Sequence, residues 1–388
     1  MNPRRTHILD ELTTIVTGST PPGDGPWWGE EIDYITPSDQ TRNTREAVPS
    51  RRLSSRGRLF LQNREVCPLS TQLTCIGSTI GKVSMTRERC ITNQQINSLV
   101  ARPGVVDPIF LYYMISNWSP ALAQSASGSA TPIINKSVLG KFKFEVPALD
   151  VQRAIGELLG ALDDKIWVNA AAARTVDHLV RARITSTAFY AEGTMPLNDL
   201  IKFQRSTVDP RGVDGATAYV GLEHLPRRNM WLADSGLAGE AVSGKSEFEQ
   251  SDILFGRLRP YFHKVVSAPF SGVCSTDILV CRPIDQALGG FCLAALTSDL
   301  VVAEATASSE GTRMPRVSSR DLGRIEVPWP GREQALALSA QVDSAVLVAN
   351  SLQVENTLLA NLRDSLLPAL MSGRLRIEYA DDQVKAAV

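Results

Sequence analysis

Histidine, aromatic side chains and net charge are all scarce in this chain. Four histidines occur in 388 residues, and aromatics make up 6%. His7, His178, His224 and His263 are scattered, and none forms a triad-like pattern with a nearby serine or cysteine and a carboxylate. The six cysteines, Cys67, Cys75, Cys90, Cys274, Cys281 and Cys292, contain no CxxC pair and have no histidine at ligand spacing. That spacing argues against a zinc site and a disulfide framework, so no metal and no cofactor are expected in this chain. A formal net charge of -1 argues against a uniformly basic nucleic-acid coat, while leaving local patches open.

Long apolar runs are missing as well. Segments such as "LLGALDDKIW" meet charge well short of the ~18 to 20 apolar residues that a membrane span requires. Asp10 and Glu11 interrupt the apolar stretch that a signal peptide would need after its basic start. The expectation is a cytoplasmic protein with no membrane partner. Also absent is a complete phosphate loop. "CIGSTIGKVSM" (75–85) has the look of one, but Gly77 and Gly81 enclose three residues rather than four, and Val83 stands where Ser or Thr should follow Lys82. A nucleotide-binding enzyme using the Gly77–Lys82 loop is the weaker alternative, and a protein-only scaffold is another. No glycine-rich strand-to-helix turn with a following acid suggests a dinucleotide or S-adenosylmethionine site.

What the chain does contain is a repeat. "GSATPIINKSVLGKFKFEVP" (128–147) is echoed by "GTRMPRVSSRDLGRIEVPWP" (311–330), so that Gly128, Pro132, Leu139, Gly140 and Pro147 recur at Gly311, Pro315, Leu322, Gly323 and Pro330. "IGKV" ending at Val83 returns as "FHKV" ending at Val265, and "LVARP" ending at Pro103 as "LVCRP" ending at Pro283. Matched loop lengths over such distances imply a duplicated unit.

After each copy comes a long stretch with helical periodicity. In the first, Val151, Ile155, Leu158, Leu162, Ile166, Ala173, Val176 and Val180 fall mainly at steps of three and four, with Asp150 as the expected N-cap. In the second, Leu338, Val342, Ala345, Ala349, Leu352, Leu359, Leu362 and Leu366 do the same, until Pro368 and Gly373 should end it. About 40 residues make a helix of roughly 60 Å, too long for one small core. The two apolar seams should therefore pair with each other as an antiparallel coiled coil. Short β-branched runs such as "KFKFEV" (141–146), "INSLVA" (96–101), "TAYVGL" (217–222) and "DILVCR" (277–282) read as strands, and "PIFLYYMISN" (108–117) and "GFCLAALTSDL" (290–300) as matching short helices. The fold class is mixed α/β (α+β): globular regions at 1–149 and 195–331, helices within 150–194 and 332–376, and a tail at 377–388.

Two similar domains on a helical spacer have pseudo-twofold symmetry without dimerising. Duplex DNA offers matching geometry, with half-sites separated by about 34 Å or its multiples. At this point the residues carry a family resemblance. "GSTPPGDGPWWGEEIDYITPSD" (18–39), "GSTIGKVSM" with "TNQQI" (77–96), "GSATPIINKSVL" (128–139), "AYVGLEHL" (218–225), "SDILFGRLRPYFHKV" (251–265), "CSTDILVCRP" (274–283) and "LRDSLLPALMSGRLRI" (362–377) resemble the specificity subunits of type I restriction-modification enzymes. The likeness runs nearly end to end. It implies two target-recognition domains, each reading one part of a split duplex sequence, and paired helices that fix the gap and dock two methyltransferase subunits. It also implies a chain without chemistry of its own. S-adenosylmethionine, ATP and magnesium would belong to partner subunits, including a restriction and translocation subunit where one is present. No "DPPY"-like or "NPPF"-like string for adenine methylation occurs in this sequence.

Lysine and arginine hold phosphates, while Arg or Lys on guanine and Asn or Gln on adenine read sequence. From Arg42 to Arg64 there are seven arginines against one acid, Glu46. Arg42, Arg45, Arg51 and Arg52 are the expected phosphate contacts, with Lys82 beside them. Asn93, Gln94, Gln95 and Asn97 offer amides for adenine, or local backbone bonds instead. Asn135 and Lys136 lie in a loop whose second copy lacks both. "WWG" (27–29) is expected to pack rather than stack on a sugar. In the second half, Arg257, Arg259 and Tyr261 should alternate along an extended run, with Lys264 opposite, and Arg313 and Arg316 add a cluster. Leu158, Leu162, Ile166, Val176, Leu352, Leu359 and Leu366 are the expected helix positions for partner docking.

Overall fold

The computed structural model describes residues 4–40, 44–126, 133–188, 191, 193–204, 206–209, 212–232, 234–240, 244–311, 313–377 and 379–380. Two compact units divide the chain: Met1–Trp167 with Asn356–Val388, and Val168–Glu355.

The first unit holds a four-stranded antiparallel sheet ordered Thr13–Thr17, Ile96–Ala101, Thr71–Thr74, Val83–Met85. The second unit builds the same order from Ile201–Gln204, Ile278–Pro283, Ile253–Gly256 and Val265–Ser267. The duplication read from glycines and prolines is thus a duplicated topology. Each unit also closes a two-stranded ribbon between its first strand and its last, Arg5–Ile8 with Lys143–Val146 and Gly193–Pro196 with Glu326–Trp329. The recurring glycines have a steric cause. A Cβ on Gly140 would fall on the Asp10 carboxylate, and one on Gly323 would fall on the Asn198 amide. Gly128 and Pro132 lie outside the described residues.

A further sheet in each unit is where the copies diverge. In the first, Trp28–Ile35 is central between Arg51–Leu53 and the parallel Cys90–Thr92. In the second, five short strands run Thr207–Val208, Lys245–Phe248, Gly272–Ser275, Ala218–Val220, Gly236–Leu237. The expected short helices are Pro108–Ala126 and Gly289–Leu296, the latter followed by Asp299–Ala307.

The two long helices are Leu149–Ala188 and Arg332–Ser372. Asp150 sits inside the first turn rather than at the N-cap, where its charge still suits the positive end of the helix. Pro368 does not end the second helix, which continues to Ser372 before Gly373 takes φ +73. Within the first unit, Ile155, Leu159, Leu162 and Ile166 share a core with Leu359, Leu366 and Leu370. There the buried Asp163 accepts from both the Tyr113 hydroxyl and the Arg363 guanidinium. Within the second unit, Ala173 and Val180 share a core with Leu338, Val342 and Ala349, and Asn169 donates to Glu355 at 2.7 Å. Both segments run antiparallel, as the seams predict.

This packing revises two expectations. Leu162, Ile166, Leu359 and Leu366 are buried, and Leu158, Val176 and Leu352 pack half-buried against the same cores, so those positions hold the chain's own helices together. The expectation that no stretch is apolar enough for a span also changes: Arg332–Ser372 is, by length and composition. Its Ala335, Leu338, Val342 and Ala349 lie in the core of the second unit.

Candidate nucleic-acid interface

The arginine run does not act as one surface. Arg42 lies outside the described residues. Arg45 is only 6% exposed; its Nε and Nη2 hold the Glu46 carboxylate at 3.0 and 2.7 Å, and Nη2 reaches Asp164 at 2.6 Å. The expected phosphate contact at Arg45 is therefore replaced by an internal one, because two carboxylates already occupy its donors. Arg52 is exposed but paired with Asp33 at 2.9 Å. Arg58, in the same run, is held by Glu31 and Glu65.

Arg51 is different. Its guanidinium carbon lies 3.3 Å from the centroid of the Trp28 ring, and Trp28 is 36% exposed. Tyr34 meets Trp28 edge-on at 5.2 Å, and burial outweighs the nearby Arg51 in holding the Tyr34 phenol above its usual pKa. Stacking on an exposed indole holds a guanidinium in place without occupying its N–H donors. Packing, expected for "WWG", holds for Trp27, whose indole N–H donates to the Pro22 carbonyl at 3.0 Å and whose ring meets Phe60 at 4.8 Å.

Lys82 is committed to the backbone. Its ammonium donates to the carbonyls of Pro37 and Gln40 at 2.9 and 3.2 Å, across a turn between two strands. The lysine that a nucleotide cradle would need is thus tied down. Of the amides, Asn93 closes a local turn with Gln95 through bonds of 2.9 and 3.2 Å, and buried Asn97 accepts from Thr17 at 2.7 Å. Gln94 is exposed and accepts from Thr20. Asn135 and Lys136 are exposed at the start of the short helix Lys136–Leu139.

In the second unit, the expected extended run does not form. Pro260–Phe262 is a 3-10 turn flanked by Arg259 at φ 52 and His263 at φ 54. The loop folds onto its partner instead: Arg259 N donates to Pro315 O at 2.8 Å, Arg257 Nε to Val317 O at 3.1 Å, and Arg259 Nη2 to Arg313 O at 3.3 Å. Arg316 is paired with Asp277 at 2.8 Å. This knitting brings Arg259, Arg313 and Tyr261, which is 51% exposed, together on one loop cluster. Lys264 turns inward, donating to the Leu222 carbonyl, and burial together with Arg227 pulls its ammonium below the usual lysine pKa.

Sequence reasoning missed Arg227 and Phe262. The Arg227 guanidinium lies 3.9 Å over the Phe262 ring and Arg259 lies 5.9 Å from it. The adjacent "RR" at 227–228 was the available signal.

Behind this cluster, His263 is 1% exposed, with Nε2 2.8 Å from Thr297 O and 3.1 Å from Arg181 Nη1, and Nδ1 3.5 Å from Asp299 Oδ1. Burial, reinforced by Arg181 and Arg228, lowers its pKa from 6.5. A lowered folded value means the contribution is full above 6.5 and is lost as pH falls from there through the folded value, because the unfolded chain takes up the proton first. In urea titrations at pH 7.5 and 5.5, the native chain should lose more stability on acidification than His263→Gln does. Equal losses would contradict a buried neutral imidazole.

Comparison with known proteins places these loops in context. Residues 6–173 match the family model described as "Type I restriction modification DNA specificity domain". The EcoDI specificity subunit of Escherichia coli is 20% identical over 333 residues, 74% of each chain. The HindI specificity subunit of Haemophilus influenzae is 26% identical over 149 residues, 37% of this chain and 32% of that one. In fold, the chain is similar to the type I restriction-modification S subunit from M. genitalium, with a TM-score of 0.57 and 16% identity, covering 95% of this chain and 96% of that one.

Proposed function

We propose, from the premise that the chain belongs to the specificity-subunit family of type I restriction-modification enzymes, that its two domains each read one half of a split duplex sequence. The observation that carries this reading is one β-topology built twice with different surface chemistry. The first copy offers Arg51 on Trp28, and the second offers Arg259, Arg313 and Tyr261. A shared scaffold with unlike loops suits two unlike half-sites.

The chain carries no chemistry in this reading. Adenine methylation with S-adenosylmethionine, and translocation and cleavage with ATP and magnesium, belong to two methyltransferase subunits and, where present, a restriction subunit. The long helices fix the gap between half-sites. Because their paired faces are consumed internally, partner docking falls to the apolar residues left outside, including Leu347 at 70% and Leu358 at 63% exposure. The chain works where the DNA is, in the cytoplasm.

Assembled with its methyltransferase subunits, the chain should bind one bipartite duplex with an affinity that falls steeply with salt, the logarithmic slope being about -0.9 per phosphate contacted. Fluorescence anisotropy over a salt series checks this. Binding that is salt-insensitive, or equal for all duplexes, would sink the reading.

A further inference from the structure

The first recognition sheet is joined to the first long helix by a contact that bypasses the main core. Ile32, Tyr34, Leu53, Leu61 and Ile91 form a small core of that sheet, distinct from the large cluster that includes the helix. Two loops lead into its edge strands. One, bridged at Glu46 to Met85, runs on to Arg51–Leu53; the other, at Arg87, runs on to Cys90–Thr92. Both loops end in cations that grip the helix. Arg45 reaches Asp164 at 2.6 Å and the Gly160 carbonyl at 3.5 Å, while the Arg87 guanidinium lies 3.6 Å over the Trp167 ring. A Cβ on Gly160 would stand 3.4 Å from Arg45 Nη1, so the absence of a side chain leaves room for the arginine.

In the second unit the loop at the same place in the repeat also grips the first long helix, by other chemistry. Trp231, bridged to Ser267, donates its indole N–H to the Ala173 carbonyl at 2.8 Å, and Met230 N donates to Asp177 at 2.9 Å. One loop position thus carries the same task in both copies. The strand Lys143–Val146 feeds the helix at Leu149, and the main core packs the four-stranded sheet on that helix, whereas the core of the recognition sheet contains no residue of it. The loop contacts, about three to five turns along the helix, tie the recognition sheet to it directly.

We propose that Arg45 and Arg87 are positioning residues that lock the first recognition sheet to the spacer helix, and so set how strictly the subunit measures the gap between half-sites. The proposal rests on the two-half-site reading above. It assigns neither arginine a contact with DNA.

The test uses the chain assembled with its methyltransferase subunits and duplexes carrying the native half-sites at the native gap and at one base pair more or less. Arg45→Met and Arg87→Ala should each leave both half-site preferences unchanged, while the preference for the native gap falls roughly tenfold, equivalent to about 1.4 kcal/mol. Arg45→Lys should recover part of it. Arg87 is 47% exposed in its side chain, so its replacement tests the lock even where Arg45→Met impairs folding. Unchanged gap discrimination in Arg87→Ala and in folded Arg45→Met would overturn the proposal, and so would a changed first half-site preference, which would make these arginines readers. A native chain with no two-part preference would instead overturn the function on which the proposal rests.

Discussion

Replacing Arg363 with alanine should lower the stability of the first unit by about 3 to 5 kcal/mol, the cost of leaving a buried charge without its partner. The Asp163 side chain is 1% exposed and that of Arg363 is 9% exposed. Asp163 takes hydrogen bonds from Arg363 and Tyr113, and Arg363 also holds Asp364 at 2.8 Å. Burial and the neighbouring Asp163 push the Tyr113 phenol well above its usual pKa, so the hydroxyl remains a donor across the physiological range. Removing the guanidinium leaves the carboxylate with one neutral donor in a dry site. The pair joins the two long helices inside the first unit, and their antiparallel packing there should loosen with it. Denaturant unfolding measures the loss. Arg363→Met together with Asp163→Leu should recover most of it, since apolar replacement of a whole buried pair is often neutral or better. A loss below about 1 kcal/mol for Arg363→Ala, the range of an exposed pair, would mean that solvent reaches Asp163.

Exchange of residues 1–149 for the corresponding region of a type I specificity subunit should change one half-site and leave the other intact. Affinity for the original duplex should then fall by roughly 1,000-fold or more, because a whole half-site of base contacts is lost at about 1 to 3 kcal/mol per mismatched pair. The exchange keeps residues 150–388, and with them the loop cluster of Arg259, Tyr261 and Arg313. Selection from a randomised duplex pool, with methyltransferase subunits present, reads both halves at once. Retention of the original first half-site would show that residues 1–149 do not read it.

The repeat and the long helices were legible because backbone requirements repeat with the chain. Gly140 and Gly323 each make room for a polar side chain, Asp10 or Asn198, of the short helical turn that follows the first strand of its unit, and helical seams declare themselves by spacing. The roles of single cations were not legible in this way. An arginine in a run looks alike whether it meets water, as Arg51 does on Trp28, or two carboxylates, as Arg45 does with Glu46 and Asp164. Asp164 lies 119 residues away, and only the fold brings it near. The "GRLRPYFHKV" stretch misled for a local reason. Its alternation suggested a strand, but left-handed Arg259 and His263 around Pro260 turn it onto the loop at 313–317, an outcome set by cross-loop hydrogen bonds rather than by pattern. The helix seam paired with the partner helix of the same chain as its spacing predicts, and that pairing consumes the positions also expected to dock partners.

The most direct test of the account is to map adenine methylation across the genome of a host that gains this chain together with its methyltransferase subunits. Methylation is expected at one bipartite motif, two short unlike half-sites separated by a fixed number of unread base pairs. Methylation at a single continuous motif, or no new motif while the partner subunits are active with another specificity chain, would contradict it.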